Sequence, residues 1–174
     1  MKDTKRQIYV ACLSAYNNGR LHGKWIDADQ YAEAIQAEVD AMLAHSPQPG
    51  AEEWAIHDYE GFEGIRLSES EPFERVSELA ELLAEHGPAY AAYVAHVGAD
   101  YATDFEDAYQ GEWDSEEDFG ADLYNSCYEA LPDGHPLAFY LDAAIDAWAS
   151  DLFTAGDYFS ADTGNGTVYV FRNV

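Results

Sequence analysis

The sequence predicts an α+β protein, with strands near both ends of the chain and helices between them. Residues 8–13, IYVACL, form a short apolar run rich in β-branched and aromatic side chains, which is typical of a buried strand. Residues 71–97 carry helical patterns without a strand signal. Near the end, two β-rich runs flank DTGNG, which is a strong hairpin signal. We therefore predict three domains: an α+β domain over 1–61, a helical domain over 62–103 and an α+β domain over 104–174.

In the first predicted domain, a loop, a helix and a second strand follow the opening strand. Residues 14–25 contain an Asn-Gly pair and two glycines, so we expect a loop or hairpin connection. Asp27, followed by Gln30 three residues later, is similar to a capping box and predicts a helix over 27–45. The second strand is predicted over Trp54–Tyr59. The apolar face of the helix is predicted to contain Tyr31, Ile35, Val39 and Met42.

The central domain is predicted to contain two helices, and the first of them is acidic. Ser70 is expected to cap this helix, which ends at His86 before Gly87 and Pro88; the second helix ends at Gly98. The buried stripe of the first helix is predicted to be Phe73, Val76, Leu79, Ala80 and Leu83. The opposite face carries Glu74, Glu78, Glu81 and Glu85. Adjacent like charges at this spacing cost about 0.2–0.5 kcal/mol each, so helix energetics alone does not explain the stripe.

The last domain is predicted to contain three helices before its terminal hairpin. A short helix is expected around 104–110, and a second begins at Ser115 with Asp118 in the capping-box position. A long apolar helix is expected from Pro136 to about Phe153. Its buried side is predicted to be Leu137, Leu141, Ala144, Ile145 and Trp148, and its outward side to carry the acid pair Asp142 and Asp146.

The charge of the chain is strongly unbalanced. It contains 34 acidic and 8 basic residues, a formal net charge of −26, and residues 76–171 carry 20 acids without a single Lys or Arg. A hydrophobic content of 48% nevertheless predicts a folded protein rather than a disordered one. Direct binding to nucleic acid is strongly disfavoured because phosphate contacts need cationic side chains, and binding to an anionic membrane surface is disfavoured for the same reason. Basic proteins and cations are the favoured partners.

The sequence points to a cytoplasmic protein without catalytic, cofactor or metal sites. Cys12 and Cys127 indicate buried thiols in a reducing compartment, and no secretory or transmembrane segment is visible. A glycosidase needs one carboxyl group in an apolar pocket, whereas acids this dense without basic neighbours are expected to be solvated. The acidic stretches lack the spacing of a calcium loop, and the six histidines lack the spacing of metal ligands.

The densest charge lies in residues 104–118, DFEDAYQGEWDSEED, where eight of fifteen residues are acidic and none is basic. A solvated face or adaptation to high salt would explain it, but we favour acids that replace DNA phosphates. An acidic helix carries one charge per about 4.5–6 Å, against about 3.4 Å for one DNA strand, so several elements must share one surface. The acids predicted to contact the partner are Glu74, Glu78, Glu81, Glu85, Asp104, Glu106, Asp107, Glu112, Asp114, Glu116, Glu117, Asp118, Asp122, Asp142 and Asp146.

Three blocks of the sequence resemble the ArdA-type antirestriction proteins: IYVACLSAYNNGRLHGKWID, VGADYATDFEDAYQGEWDSEEDFG and LFTAGDYFSADTGNGTVYVFRN. The resemblance covers nearly the whole chain. It implies a protein carried by a plasmid, transposon or phage that mimics bent B-form DNA. Such proteins occupy the DNA-binding groove of the specificity and methyltransferase core of type I restriction–modification enzymes. The resemblance also implies an elongated, curved homodimer, with two α+β domains flanking a helical one in each chain.

Charge also favours a dimer. The net charge of one chain corresponds to about 13 base pairs of duplex, which is shorter than a bipartite recognition site. We predict a symmetric homodimer whose interface is formed by Tyr140, Trp148 and Phe153 of the last domain. Two other interpretations remain open: an acidic inhibitor or chaperone of another basic or DNA-binding protein, and a protein of a halophile without mimicry.

Overall fold

The computed structural model describes residues 5–98 and 102–174. These residues form two compact units, which we call the first unit (Met1–Ala91) and the second unit (Ala92–Val174). Both units combine helices with a small antiparallel sheet, as expected for an α+β protein. The finer division into three domains stays a prediction.

The first unit contains a three-stranded antiparallel sheet in the order β2-β1-β3. Its elements are β1 (Gln7–Cys12), α1 (Leu13–Asn17), β2 (Gly23–Asp27), α2 (Ala32–Ala44), β3 (Trp54–Glu60) and α3 (Phe73–His86). A further helix, α4 (Pro88–Val97), begins in this unit and ends in the second. The predicted strands β1 and β3 are confirmed, and the predicted connection contains α1 and strand β2.

One face of this sheet and helix α2 form the core of the first unit. Ile8, Val10 and Cys12 alternate along β1 and are fully buried. The predicted helix face is confirmed for Ile35, Val39 and Met42 of α2, which are also buried.

The predicted start of α2 is wrong. Asp27 belongs to β2, where its carboxylate accepts a hydrogen bond from the Asp29 amide, and the Gln30 side chain donates to the Asp27 carbonyl. The Ser77 hydroxyl also donates to the Gln30 carbonyl. These bonds hold residues 27–30 as a turn, so the helix begins at Ala32 and Tyr31 is 83% exposed.

Helix α3 has the predicted buried stripe. Phe73, Val76, Leu79, Ala80 and Leu83 are all buried, and the Phe73 ring stacks on Trp54 with 4.3 Å between the ring centroids. The helix begins after Pro72, its N-cap, rather than at Ser70, because the residue that precedes a proline disfavours the helical conformation. Gly87 ends it as predicted, with a φ of 58° that favours glycine.

The second unit has a three-stranded antiparallel sheet in the order β4-β6-β5. Its elements are α5 (Phe105–Ala108), β4 (Tyr109–Trp113), α6 (Glu116–Cys127), α7 (Ala138–Thr154), β5 (Tyr158–Asp162) and β6 (Val168–Arg172). The terminal hairpin and helices α6 and α7 are confirmed. Strand β4 was not predicted: helix α5 ends at Ala108, and the chain continues as an edge strand where helix was expected to residue 110. A bulge before Gly111, whose φ is 107°, interrupts the alternation that would identify this strand.

The core of the second unit is largely aromatic. Phe105 and Phe171 are buried, and the Phe171 ring lies 4.9 Å from that of Phe159. Helices α6 and α7 approach closely at Gly120, because a Cβ atom there would lie 2.2 Å from the Cβ of Ala149.

The predicted buried side of α7 is only partly correct. Ile145 is buried and Leu141 and Trp148 are half-buried, but Ala144 and Leu137 are exposed, Leu137 at 60%. The fully buried residues of α7, Ile145 and Ala149, lie near the middle of the helix, where Ala149 approaches Gly120 closely.

The two cysteines differ in burial. Cys12 is buried as expected, whereas Cys127 is exposed, because the last residues of α6 are open to solvent. The expectation of two buried thiols is therefore wrong for Cys127. No helix in the described part of the chain is both long and apolar enough to cross a membrane.

Candidate functional site

The acidic segment 104–118 folds into the N-cap of α5, α5 itself, β4 and the start of α6. Asp104 occupies the N-cap position of α5, and the first turn of α6 contains Glu116, Glu117 and Asp118. Acids in a first helical turn are stabilised by the helix dipole, by about 0.3–1 kcal/mol each. Part of the charge density in this segment therefore has a local structural benefit.

The start of α6 fixes two of these carboxylates through hydroxyl groups. The Ser115 hydroxyl accepts a hydrogen bond from the Asp118 amide at 3.0 Å and donates to the Asp118 carboxylate at 2.7 Å. The predicted cap is thus confirmed. The Ser160 hydroxyl of β5 donates to Glu116 at 2.6 Å. Neutral donors hold these acids in place and leave their negative charge uncompensated.

Strand β4 carries Glu112 at the edge of the sheet. Glu112 pairs with Tyr169 across the strands and accepts a hydrogen bond from the Thr167 hydroxyl. Burial raises the pKa of the Tyr169 phenol, and the charge of Glu112 raises it further. The pKa of Tyr109 is also raised, by burial first and then by Tyr169 and Glu112. The indole of Trp113 donates to the Gln110 carbonyl at 3.0 Å, which fixes the bulged strand.

Four predicted acids meet in one open groove of the second unit, with a volume of about 660 Å³. Asp118 and Asp122 lie four residues apart in α6, so they share one face of the helix, and Asp114 lies in the bend just before the Ser115 cap. The groove is lined by Glu112, Trp113, Asp114, Asp118, Asp122, Asn125 and Thr167. Strand β4 and helix α6 therefore bring together acids that the sequence could only place in order.

Exposure agrees with an interaction surface. Of the fifteen predicted acids, fourteen are exposed, and Glu116 is half-buried because of its bond to Ser160. Among residues 92–98 and 102–174, which are the described part of the second unit, no ion pair is formed. The carboxylates of this unit are available to cations from outside.

Acids of the first unit are partly neutralised within the chain. The Arg75 guanidinium lies 2.7 Å from the carboxylate of Glu78, and Arg6 lies 2.6 Å from that of Asp29. Lys24 pairs with Glu38, whose pKa is lowered by hydrogen bonds from Gln30 and then Lys24. The pairing of Glu78 was not predicted, so the stripe of Glu74, Glu78, Glu81 and Glu85 has less free charge than expected.

The N-terminal half of α7 exposes large apolar side chains. Phe139 is 88% and Tyr140 is 64% exposed, close to Leu137. Two other predicted interface residues are half-buried: Trp148 contacts the Tyr124 ring, and Phe153 packs in the aromatic core. On the same helix, Asp142 and Asp146 are exposed as predicted.

An aromatic pair on the sheet of the first unit was also not predicted from the sequence. Tyr9 of β1 and Trp25 of β2 face each other across the strands, with ring centroids 5.5 Å apart. Residues 14–25 were expected to form a connection, so Trp25 was not assigned to a strand. The alternation of buried Ile8 and Val10 with Tyr9 is the signal that places Tyr9 on the opposite face.

Comparison with known proteins identifies one family. The model of a family described as antirestriction protein (ArdA) matches residues 8–167. No curated protein matches the chain.

Proposed function

Because the chain belongs to the ArdA family of antirestriction proteins, we propose that it blocks type I restriction–modification enzymes by occupying their DNA-binding groove. The uncompensated acids of the second unit carry this proposal. They are exposed, form no ion pairs within the described residues of that unit, and come from α5, β4, α6 and α7. Cations that line a DNA-binding groove would meet these carboxylates as they meet phosphates.

The contact is spread over many charges. Exposed ion pairs contribute about 0–1 kcal/mol each, so no single carboxylate is expected to dominate binding. The groove between β4 and α6 concentrates four of the predicted acids, and α7 adds two more to the second unit. The acids on α3 give the first unit a charged surface of its own. Inhibition is stoichiometric and needs neither catalysis nor a metal, because the protein acts by occupying a site.

We also propose that the active form is a homodimer joined through α7. Phe139 and Tyr140 support this contact because large exposed apolar side chains on a soluble surface favour protein association. A symmetric dimer doubles the charge from −26 to −52, which corresponds to about 26 base pairs of duplex, twice the equivalent of one chain. Light scattering at micromolar concentration should give twice the mass of the chain, and Tyr140→Asp should give a monomer.

A purified type I restriction enzyme tests the inhibition directly. DNA cleavage is measured while the protein is titrated against a fixed enzyme concentration, and DNA binding is measured by competition with a labelled duplex. We expect complete inhibition near equal molar amounts, competitive with duplex. Inhibition of many enzyme molecules by one protein molecule would contradict the mechanism. Equal binding to an unrelated basic protein would favour a general acidic inhibitor instead.

A pair of matched variants tests the site. Four exposed second-unit acids without side-chain hydrogen bonds are changed to amides: Asp107, Asp114, Glu117 and Asp122. The control changes four exposed first-unit acids outside the proposed site: Glu33, Glu52, Glu53 and Glu69. Both variants lose four charges. We expect the first to weaken inhibition about tenfold or more and to flatten its salt dependence, and the control to have a smaller effect. Equal effects would argue against the assigned surface.

A further inference from the structure

The sheet of the first unit has a second face, opposite the one that packs on α2. Strand register places directly opposed residues on the same face. Tyr9 opposes Trp25 on one side and Asp58 on the other, and Gln7 opposes Asp27 and Glu60. We call these residues the open sheet face: Gln7, Tyr9, Trp25, Asp27, Asp58 and Glu60.

An aromatic pair forms the centre of this face. The Tyr9 and Trp25 rings are tilted by 56°, and Trp25 remains 38% exposed. The Tyr9 ring lies over Gly23: a Cβ atom at that glycine would come within 2.7 Å of the Tyr9 hydroxyl. Because Gly23 has no side chain, the Tyr9 ring can extend over β2 and lie next to Trp25.

Carboxylates surround the aromatic pair. Asp58 is the cross-strand neighbour of Tyr9 and is exposed, and Glu60 is exposed while it accepts a hydrogen bond from the Gln7 amide at 3.0 Å. One cation approaches the edge of the face: Lys5 lies 3.8 Å from Asp27. The six residues of the open sheet face include no arginine. Their combination of aromatic rings and carboxylates is nevertheless the one that binds a guanidinium group.

From this charge and ring complementarity we infer that the open sheet face binds an arginine side chain of the partner protein. The guanidinium plane stacks on the exposed Trp25 ring beside Tyr9, and its N–H groups donate to the carboxylates of the same face. Arginine suits the site better than lysine, because its planar group both stacks on an aromatic ring and forms paired hydrogen bonds with a carboxylate. An apolar peptide is disfavoured, since it would desolvate Asp58 and Glu60 without compensation.

This inference rests on the proposed function for the identity of the partner. It adds that the first unit distinguishes arginine from lysine. A surface that only replaces phosphates prefers cations by charge, and it treats arginine and lysine alike to a first approximation. The open sheet face adds a preference for arginine. The first unit would therefore make a selective contact, in addition to the distributed charge contacts of the second unit.

Two peptides of equal charge test the preference on the full chain: GRGRGRG and GKGKGKG. The indole N–H signals of the four tryptophans are followed by NMR at about 150 mM salt, where distant charge contacts are screened. Trp→Phe variants assign the signals. We expect the Trp25 signal to shift saturably, with an affinity about threefold to tenfold higher for the arginine peptide.

Variants separate stacking from general charge. Trp25→Ala should bring the two peptides to within about twofold of each other, as judged by backbone amides near Asp58. Trp25→Phe should keep part of the preference and reports on a site that is still folded. Tyr31→Ala removes an exposed ring outside the face and should leave the preference unchanged. Equal binding of both peptides to the parent chain, or a Trp25 signal that stays still while others move, would overturn the inference.

The peptide measurement does not use a restriction enzyme. Failure of the enzyme assay with a retained arginine preference would reject the proposed partner and leave the arginine site in place. A lost preference with intact inhibition would reject the arginine site alone.

Discussion

The two units carry the same number of acids and use them differently. Residues 1–91 contain 17 acidic and 7 basic residues, and residues 92–174 contain 17 acidic residues and only Arg172, so their net charges are −10 and −16. In the first unit, Arg6, Lys24 and Arg75 pair with carboxylates. In the second, hydroxyl groups and helix starts hold the acids. Orienting a carboxylate with a neutral donor keeps its charge available, whereas pairing it with a cation stabilises the fold and removes that charge.

The comparison implies that the second unit depends more on close packing, since internal ion pairs contribute nothing to its described part. Gly120→Val places a branched side chain against Ala149, where even a Cβ would lie at 2.2 Å. We expect a loss of about 2–3 kcal/mol in the free energy of unfolding, measured by urea unfolding. Ser126→Ala, an exposed position on the same helix, is the control and should change stability by under about 0.5 kcal/mol. Equal stability of both variants would contradict the close approach of α6 and α7.

The Ser115 hydroxyl should contribute measurably to the stability of the second unit, although it forms only two hydrogen bonds. Ser115→Ala removes the cap of α6 and should lower stability by about 1 kcal/mol. The same change frees the Asp118 carboxylate. Urea unfolding measures the loss, and Ser115→Asp, which restores a capping oxygen, should recover most of it. If Ser115→Asp were no better than alanine, repulsion among the nearby acids would outweigh capping at this position.

The ion pair between Arg6 and Asp29 should stabilise the first unit measurably. Arg6 is 12% exposed in its side chain, so its pair is less screened than a surface pair. A double-mutant cycle with Arg6→Gln and Asp29→Asn should give a coupling of about 0.5–1 kcal/mol. The matched pair of Glu33 and Lys24, which form no ion pair with each other, should give a coupling near zero. A zero coupling for Arg6 and Asp29 would remove the energetic difference between the units.

Salt should affect neutralised variants of the two units in opposite ways. The fourfold second-unit amide variant loses self-repulsion, and it also loses the favourable dipole interactions of Asp107 and Glu117. Repulsion acts among all the acids of the unit, so we expect it to outweigh that loss. The melting temperature at low salt should then rise by a few degrees, and the rise should shrink near 0.5 M salt. Asp29→Asn in the first unit loses an attraction and should melt lower. Melting curves at 20 mM and 500 mM NaCl compare them. A lower melting temperature for the fourfold variant would show that these acids stabilise their own fold.

The smallest effect concerns alkaline pH. Tyr109 and Tyr169 have raised pKa values, so their neutral forms are favoured in the folded state. Their contribution to stability is present below the usual tyrosine pKa of about 10 and is lost as pH rises through the folded values. The variant with both residues changed to phenylalanine should lose less stability between pH 9 and 11 than the parent. Melting temperatures across that range measure the difference, and parallel curves would contradict it.

Local signals predicted the elements whose determinants lie close in sequence. The stripe of α3, the Ser115 cap and the DTGNG hairpin all depend on residues within a few positions of one another. The start of α2 was predicted wrongly because Asp27 is held in a strand by its pairing with Gln7, twenty residues away. Strand β4 was not predicted for the same kind of reason. Its partner β6 lies some fifty residues later, and its bulge interrupts the alternation of inward and outward side chains.

The candidate site likewise has features that could be predicted from the sequence and features that could not. Exposure of the acids followed from charge and helical spacing, so it could be predicted. The groove of Glu112, Asp114 and Asp118 needs β4 beside α6, and the Tyr9–Trp25 pair needs the register of β1 and β2. No single stretch of sequence specifies either arrangement. Leu137 is a case in which a local pattern was misleading. The apolar spacing of α7 predicted that Leu137 is buried, but this spacing does not specify how far α6 extends beside α7.

The strand order β4-β6-β5 also sets an order of events during folding. Strands β5 and β6 are joined by a short turn and can pair within microseconds, whereas Glu112 of β4 must find Thr167 across 55 residues. The amides of β6 that face β5 should therefore be protected from hydrogen exchange before those that face β4. The acidic groove forms only when that last strand docks. A nascent or partly folded chain would consequently lack the groove, and only the completed second unit would bring its four acids together.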